Sequence, residues 1–183
     1  MKNGKMLLLG VLATVAALSV FGVLIQGCAR TPDAPTEPSG SDIAGVIKPQ
    51  MAENSLPAKL WAQFQQEITK KPEATAQELA DVLVASLADQ FSGVATQLEK
   101  DAEFFAGFDN YRITGYRDGA MYGPMIGSIA FVGYVFVLED GTDPATFVKG
   151  LTDHCNPRWN VCVEAGQTAC GAIGNRVFFV MCP

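Results

Sequence analysis

The distribution of apolar and polar residues divides the chain into an apolar run, a proline-rich stretch, and a region in which helical and strand periodicities alternate. The apolar run extends from Met6 to Ile25 and carries no charge, with Thr14 and Ser19 as its polar interruptions. Its length is close to the roughly 20 apolar residues that cross the hydrocarbon core of a bilayer. The pattern therefore predicts an N-terminal membrane-directing helix.

The residues that end this run, Ile25-Gln26-Gly27-Cys28, resemble the lipobox of bacterial lipoprotein signal peptides. The resemblance implies cleavage before Cys28 and lipidation of its thiol, so that residues 1–28 act as a lipoprotein signal peptide. An uncleaved membrane anchor and a free secreted protein are the alternatives. Lys2 and Lys5 precede the run, and the positive-inside rule places them in the cytoplasm. We therefore expect the rest of the chain on the extracytoplasmic face of the cell membrane, held by the N-terminal lipid or helix.

Residues 29–55 are predicted to tether this segment to one extracytoplasmic domain, residues 56–183. The tether begins without apolar periodicity, and its prolines favour an extended polyproline II conformation. Its later apolar residues are expected to form either an irregular arm or a short strand on the domain. The prolines are Pro32, Pro35 and Pro38.

Three segments repeat their apolar residues at helical spacing, which predicts three amphipathic helices. The first extends from near Leu56 to a point before Pro72, the second opens at Thr75, and the third extends from Pro144 to near His154. Each is preceded by a side chain suited to cap a helix. The capping residues are Ser55, Thr75 in a capping box with Glu78, and Asp143.

The strongest strand pattern covers residues 128–138, which are apolar on both faces. Such a strand belongs in the middle of a sheet that is covered on each side. A final hairpin is predicted from residues 161–172 and 177–182, joined by a tight turn at Gly174-Asn175.

A second hairpin is predicted between Tyr111 and Tyr122, with its turn at Asp118-Gly119. Residues 93–98 are compatible either with a short strand or with a continuing helix. The order of helices and strands predicts a single α+β domain, with a mostly antiparallel sheet and about three packed helices, preceded by the membrane-directing helix.

The predicted extracytoplasmic part is acidic, since 11 Lys and Arg residues face 19 Asp and Glu residues after Cys28, a formal charge of −8. No basic cluster is available to neutralise phosphates. This charge disfavours nucleic acids and anionic lipid headgroups as partners.

Four cysteines after Cys28 fall within the last part of the chain, where an even, clustered set outside the cytoplasm predicts two disulfides. Pairing neighbours along the chain closes the shortest loops, Cys155 with Cys162 and Cys170 with Cys182. Buried free thiols are one alternative, and a metal or redox centre is another. The spacing is not that of paired zinc ligands, so no metal site and no cofactor is assigned.

Tyrosine, arginine and tryptophan side chains form the tentative binding site, because these residue types are enriched at interface hot spots. Most of them occupy adjacent positions of the second predicted hairpin, and the others precede the final hairpin. A sheet edge covered by long amphipathic side chains is the alternative. The residues are Tyr111, Arg112, Tyr116, Arg117, Tyr122, Arg158 and Trp159.

No residue is assigned a catalytic role. His154 is the one histidine of the chain and ends the third predicted helix, where an imidazole is expected to cap carbonyl groups. Glu139 and Asp140 end the predicted central strand, where Glu-Asp-Gly is typical of a solvated turn. Because these interpretations are structural, an envelope enzyme that uses Cys and His or paired carboxylates is only the second hypothesis.

Four short segments near the C-terminus, together with the signal, resemble small envelope lipoproteins of gut Gram-positive bacteria. The resemblance implies an envelope location and a compact domain, and it transfers no functional residue. The first hypothesis is accordingly a lipid-anchored domain that binds a protein, peptide or glycan at the cell envelope without catalysing a reaction. The segments are residues 124–128, 131–134, 158–162 and 177–181.

Overall fold

The computed structural model describes residues 45–100, 102–160 and 162–183. These residues form an α+β fold with one six-stranded antiparallel sheet and three helices, as the sequence predicts. The predicted membrane-directing helix and Cys28 lie outside the described residues, among which no helix is long and apolar enough to cross a membrane. The elements are β1 (Val46–Ile47), α1 (Leu56–Lys70), α2 (Ala76–Ala85), β2 (Gly93–Gln97), β3 (Tyr116–Pro124), β4 (Val132–Leu138), α3 (Pro144–His154), β5 (Gln167–Ile173) and β6 (Arg176–Cys182).

The sheet has the strand order β1-β5-β6-β4-β3-β2, so that β4 and β6 lie at its centre. Every residue of β4 is buried, because both faces of the sheet are covered. One face packs against α1 and α2 and the other against α3 and the buried aromatic residues of the segment before β3. Burial on both faces explains why residues 132–138 are continuously apolar.

The three helices begin at their predicted caps. The Ser55 hydroxyl accepts a hydrogen bond from the Ala58 amide at 3.3 Å, and the Asp143 carboxylate accepts one from the Thr146 amide at 2.8 Å. Thr75 caps α2 in the same way. The capping box is complete, since the Glu78 amide donates to the Thr75 hydroxyl at 3.2 Å and the Thr75 amide donates back to the Glu78 carboxylate at 2.9 Å.

The predicted turn at Asp118-Gly119 is wrong, because both residues lie inside β3. A bulge after Tyr116 shifts the register between β3 and β4. Asp118 accepts a hydrogen bond from the Ala76 amide at 2.8 Å and so holds the first turn of α2. At Gly119 a Cβ would lie 2.9 Å from Leu98 and 3.2 Å from Phe136, so the glycine permits close packing within the strand.

The folded domain begins before the predicted boundary at residue 56. Val46 and Ile47 form β1, which pairs with Ile173 and Ala172 of β5. Of the two expectations for the later apolar residues of the predicted tether, the short strand is correct.

At the other end of the chain, the turn of the final hairpin is confirmed, with Gly174 at φ 58°. The first strand of that hairpin begins at Gln167 instead of near residue 161.

Candidate functional site

Two of the seven tentative binding residues are part of the core. Tyr122 has no exposed surface, and its hydroxyl donates to the Phe179 carbonyl at 3.5 Å. Tyr116 is 6% exposed and packs against Phe136, with ring centroids 5.1 Å apart. Burial excludes both side chains from a surface patch.

Three further residues of that set are engaged at separate places. Arg117 on β3 forms an exposed ion pair with Asp140 at 3.5 Å, and Arg158 forms one with Glu164 at 2.6 Å. Trp159 is half-buried and packs against the core on the α3 face of the sheet. The tentative residues therefore do not form one continuous aromatic and arginine surface.

The other two, Tyr111 and Arg112, line an open cleft of about 610 Å³, which we call the 103–112 cleft. The segment that forms it has no regular secondary structure and runs between β2 and β3. Its walls combine aromatic rings with carboxylate, carboxamide and guanidinium groups. The lining residues are Glu103, Phe104, Phe108, Asp109, Asn110, Tyr111 and Arg112.

Buried aromatic residues fix this segment to the sheet. Phe105 and Phe108 are 1% and 3% exposed, and the Phe108 ring lies 5.0 Å from that of Phe179 on β6. The Tyr134 hydroxyl donates to the Ala106 carbonyl at 3.0 Å. These contacts hold the backbone of the cleft against the α3 face of the sheet.

A second set of contacts ties the cleft to the end of α3. The Tyr111 ring stacks on the His154 imidazole with a centroid distance of 4.0 Å and an angle of 7° between the ring planes. The Asn156 carboxamide donates to the Asp109 carboxylate, and the Asn156 amide donates to the Gly107 carbonyl at 2.8 Å. The wall of the cleft is therefore held against the end of α3 at two sites, by the Tyr111 ring and by the hydrogen bonds of Asn156.

The Phe104 side chain is strongly exposed at the cleft, with 77% of its surface accessible. Contact between water and this much apolar surface is unfavourable in free energy, and a ligand that covers the ring would remove that contact. Glu103, Asp109, Asn110 and Arg112 are also exposed around the cleft. The arrangement offers an apolar plane beside hydrogen-bond acceptors and donors, which suits a ligand with an apolar face and several polar groups.

Sequence reasoning assigned Tyr111 and Arg112 but missed Phe104, Asp109 and Asn110. A signal was present, since Asp109-Asn110 is a turn-forming pair between two aromatic residues. Asn110 indeed adopts the left-handed conformation, with φ 60°. Which aromatic side chain points outward depends on packing against β4 and β6, and the local sequence does not encode it.

His154 has the capping role that its position predicts. Its Nδ1 atom lies 2.9 Å from the Gly150 carbonyl oxygen, one turn back in α3. The His154 imidazole therefore makes two structural contacts, one with the backbone of α3 and one with the Tyr111 ring.

The four cysteines among the described residues, Cys155, Cys162, Cys170 and Cys182, are free thiols in the structure. Burial raises the pKa of Cys155 and of Cys170 above the usual range and raises that of Cys182 to about 11. A thiol with a raised pKa is a weak nucleophile at neutral pH, because the thiolate is the reactive form.

The predicted pairing of Cys170 with Cys182 is wrong. Cys170 belongs to the core on the α3 face, whereas Cys182 belongs to the core on the α1 and α2 face. A disulfide needs Cβ atoms about 3.5 to 4.5 Å apart, which side chains on opposite faces of a sheet do not reach.

Paired carboxylates were the other candidate centre. Glu139 and Asp140 follow β4 as exposed residues, and Asp140 is 97% exposed at its side chain beside Arg117. Within the described ranges, no group of three or more His, Cys, Asp and Glu residues is arranged to hold a metal ion.

The 103–112 cleft is thus the place where the structure brings sequence-predicted binding residues together with further polar and aromatic groups. The chain matches no protein-family model, no curated protein and no solved structure, so the case for its function rests on this cleft and on the sequence.

Proposed function

We propose that this protein is a lipid-anchored extracytoplasmic domain that binds a neutral glycan of the cell envelope in the 103–112 cleft, without catalysing a reaction. The observation that carries the proposal is the exposed Phe104 ring beside the polar groups of the cleft. The anchoring part rests on the apolar run and on Cys28 in the sequence.

The composition of the cleft favours a sugar. The face of an aromatic ring carries partial negative charge, and it packs well against the C–H groups on one face of a pyranose. Carboxylates of Glu103 and Asp109 accept hydrogen bonds from hydroxyls, whereas Arg112 donates them. Two carboxylates in the same cleft oppose an anionic ligand, so a neutral glycan fits the charge better than an acidic one.

A peptide ligand is less well supported at this cleft. Extended peptides commonly bind by adding a strand to a sheet edge, where main-chain hydrogen bonds supply the affinity. The 103–112 segment is not a strand, so it offers no such ladder. The enzyme hypothesis is also less well supported, because His154 makes structural contacts and burial raises the pKa of Cys155, Cys170 and Cys182.

Calorimetric titration of the full-length protein with neutral cell-wall oligosaccharides, acidic oligosaccharides and extended peptides tests the proposal. We expect neutral oligosaccharides to bind and Phe104→Ala to weaken binding about 2- to 12-fold, in line with roughly 0.5–1.5 kcal/mol for an aromatic contact. Arg112→Ala should weaken it too.

Two matched controls lie outside the cleft. Ile126→Ala removes an apolar side chain that is 76% exposed, and Arg117→Ala removes an exposed guanidinium on β3. Both variants should bind as the unaltered protein does. Binding of peptides alone, or unchanged sugar affinity in Phe104→Ala, would refute the glycan proposal.

A further inference from the structure

Two cysteines that are separated in the sequence belong to the apolar core between α3 and β5. Cys155 directly follows the helix, is half-buried, and its thiol donates to the Thr152 carbonyl at 3.4 Å. Cys170 lies buried on β5, against which α3 packs. Both side chains belong to the same apolar core.

Thr152 links the two thiols. Its backbone carbonyl accepts a hydrogen bond from the Cys155 thiol at 3.4 Å, and its side chain partly offsets the effect of burial, which raises the pKa of Cys170. After burial, the charge of a Cys155 thiolate also raises the pKa of Cys170, which accords with the place of both side chains in one core between α3 and β5.

The fold excludes or disfavours the other partners for these residues. Cys182 is fully buried on the opposite face of the sheet, so neither Cys155 nor Cys170 reaches it. Cys162 is exposed in the segment before β5 and is not part of the shared core.

We propose that Cys155 and Cys170 form a disulfide that fastens the C-terminal turn of α3 to β5. The oxidant is a disulfide compound, either a small molecule or a protein. The half-buried Cys155, as thiolate, attacks one sulfur of the oxidant and releases the first thiol. Cys170, after loss of its proton, attacks the Cys155 sulfur of this mixed disulfide and releases the second thiol. Two thiols of the chain are oxidised, and one disulfide of the oxidant is reduced to two thiols.

Peptide mapping identifies the pairing directly. The full-length protein is purified from membranes, treated with oxidised glutathione, unfolded, alkylated without reduction, and digested with proteases that cut after Arg and after Glu. Cleavage after Arg158, Glu164 and Arg176 places Cys155, Cys162, Cys170 and Cys182 on four different peptides.

We expect one linked pair of peptides, which joins the peptide that ends at Arg158 to the peptide of residues 165–176. The buried Cys182 should carry the alkyl label, and the exposed Cys162 should carry either the label or glutathione without a link to another peptide. The control C162S should retain this link and C155S should lose it, with circular dichroism to verify that both variants are folded. A link between Cys155 and Cys162, or alkylation of Cys155 and Cys170 after oxidation, would overturn the proposal.

Discussion

Tyr122 is fully buried because the residue opposite it on β4, Gly133, has no side chain. A Cβ at Gly133 would overlap the Tyr122 ring. We therefore expect Gly133→Ala to lower the free energy of unfolding by about 1–3 kcal/mol, the usual cost of overpacking a core. Urea denaturation measures this loss.

The control for this residue is Gly127→Ala. Gly127 lies in the loop before β4, and a Cβ there would meet no atom within 4 Å. The urea midpoint of the Gly127→Ala protein should match that of the unaltered protein. Equal urea midpoints for Gly133→Ala and Gly127→Ala would show that the stability of the fold does not depend on the space that Gly133 leaves for the Tyr122 ring.

At the scale of the element, α2 depends on a residue from a distant strand. Asp118 of β3 accepts a hydrogen bond from the Ala76 amide at the start of the helix, 42 positions away in the sequence. An acceptor at a helix N-terminus typically contributes about 1 kcal/mol. Asp118→Ala should therefore lower the free energy of unfolding by about 1–2 kcal/mol, since it also leaves the Ala76 amide without this partner.

Asp140→Ala is the matched carboxylate control for this second prediction. Asp140 is almost fully exposed, and a surface ion pair of this kind contributes little. Its removal should leave the urea midpoint nearly unchanged. If Asp118→Ala behaves like Asp140→Ala, the contact from β3 does not stabilise α2.

The N-terminus of α2 also predicts how stability depends on pH. The Lys71 ammonium, followed by the Thr75 amide, lowers the pKa of Glu78 from 4.5 to about 2. The folded state thus binds this proton less readily than the unfolded state does, and Glu78 contributes stability above about pH 4.5 that is lost as the pH falls through about 2. Urea midpoints of Glu78→Gln should fall below those of the unaltered protein at pH 7 and converge with them towards pH 2. A difference between the two urea midpoints that does not change with pH would contradict this role of Glu78.

These elements show which parts of the fold the sequence predicts. Helix starts are predictable because Ser55, Thr75 and Asp143 act on amides only three positions away. The interior of β3 is not predictable in this way. Asp118-Gly119 has the composition of a turn, but the partners that keep it in a strand are on α2, on β4 and near β2.

On the scale of the whole molecule, the two-sided core was predictable and the cleft was not. Continuous apolar residues in β4 and β6 indicate that both faces of the sheet are covered. The 103–112 segment covers part of one face through Phe105 and Phe108, and this leaves Phe104 outside. Because long-range packing selects the outward-facing ring, only two of the cleft residues, Tyr111 and Arg112, could be identified from residue types.

Membrane attachment is the last prediction at this scale, and it rests on Cys28, which lies outside the described residues. If Cys28 carries the anchor, the native protein will have the mass of the chain cleaved before Cys28 plus acyl chains. Each buried methylene contributes about 0.8 kcal/mol, so several acyl chains hold a domain of this size firmly. Cys28→Ala should lack the mass of the acyl chains, because the substitution removes the thiol that would carry them. Intact-mass measurement of both proteins after detergent extraction distinguishes an anchor of acyl chains on Cys28 from an anchor formed by the uncleaved apolar run. A full-length, unmodified mass for the unaltered protein would show that the apolar run from Met6 to Ile25 is itself the anchor.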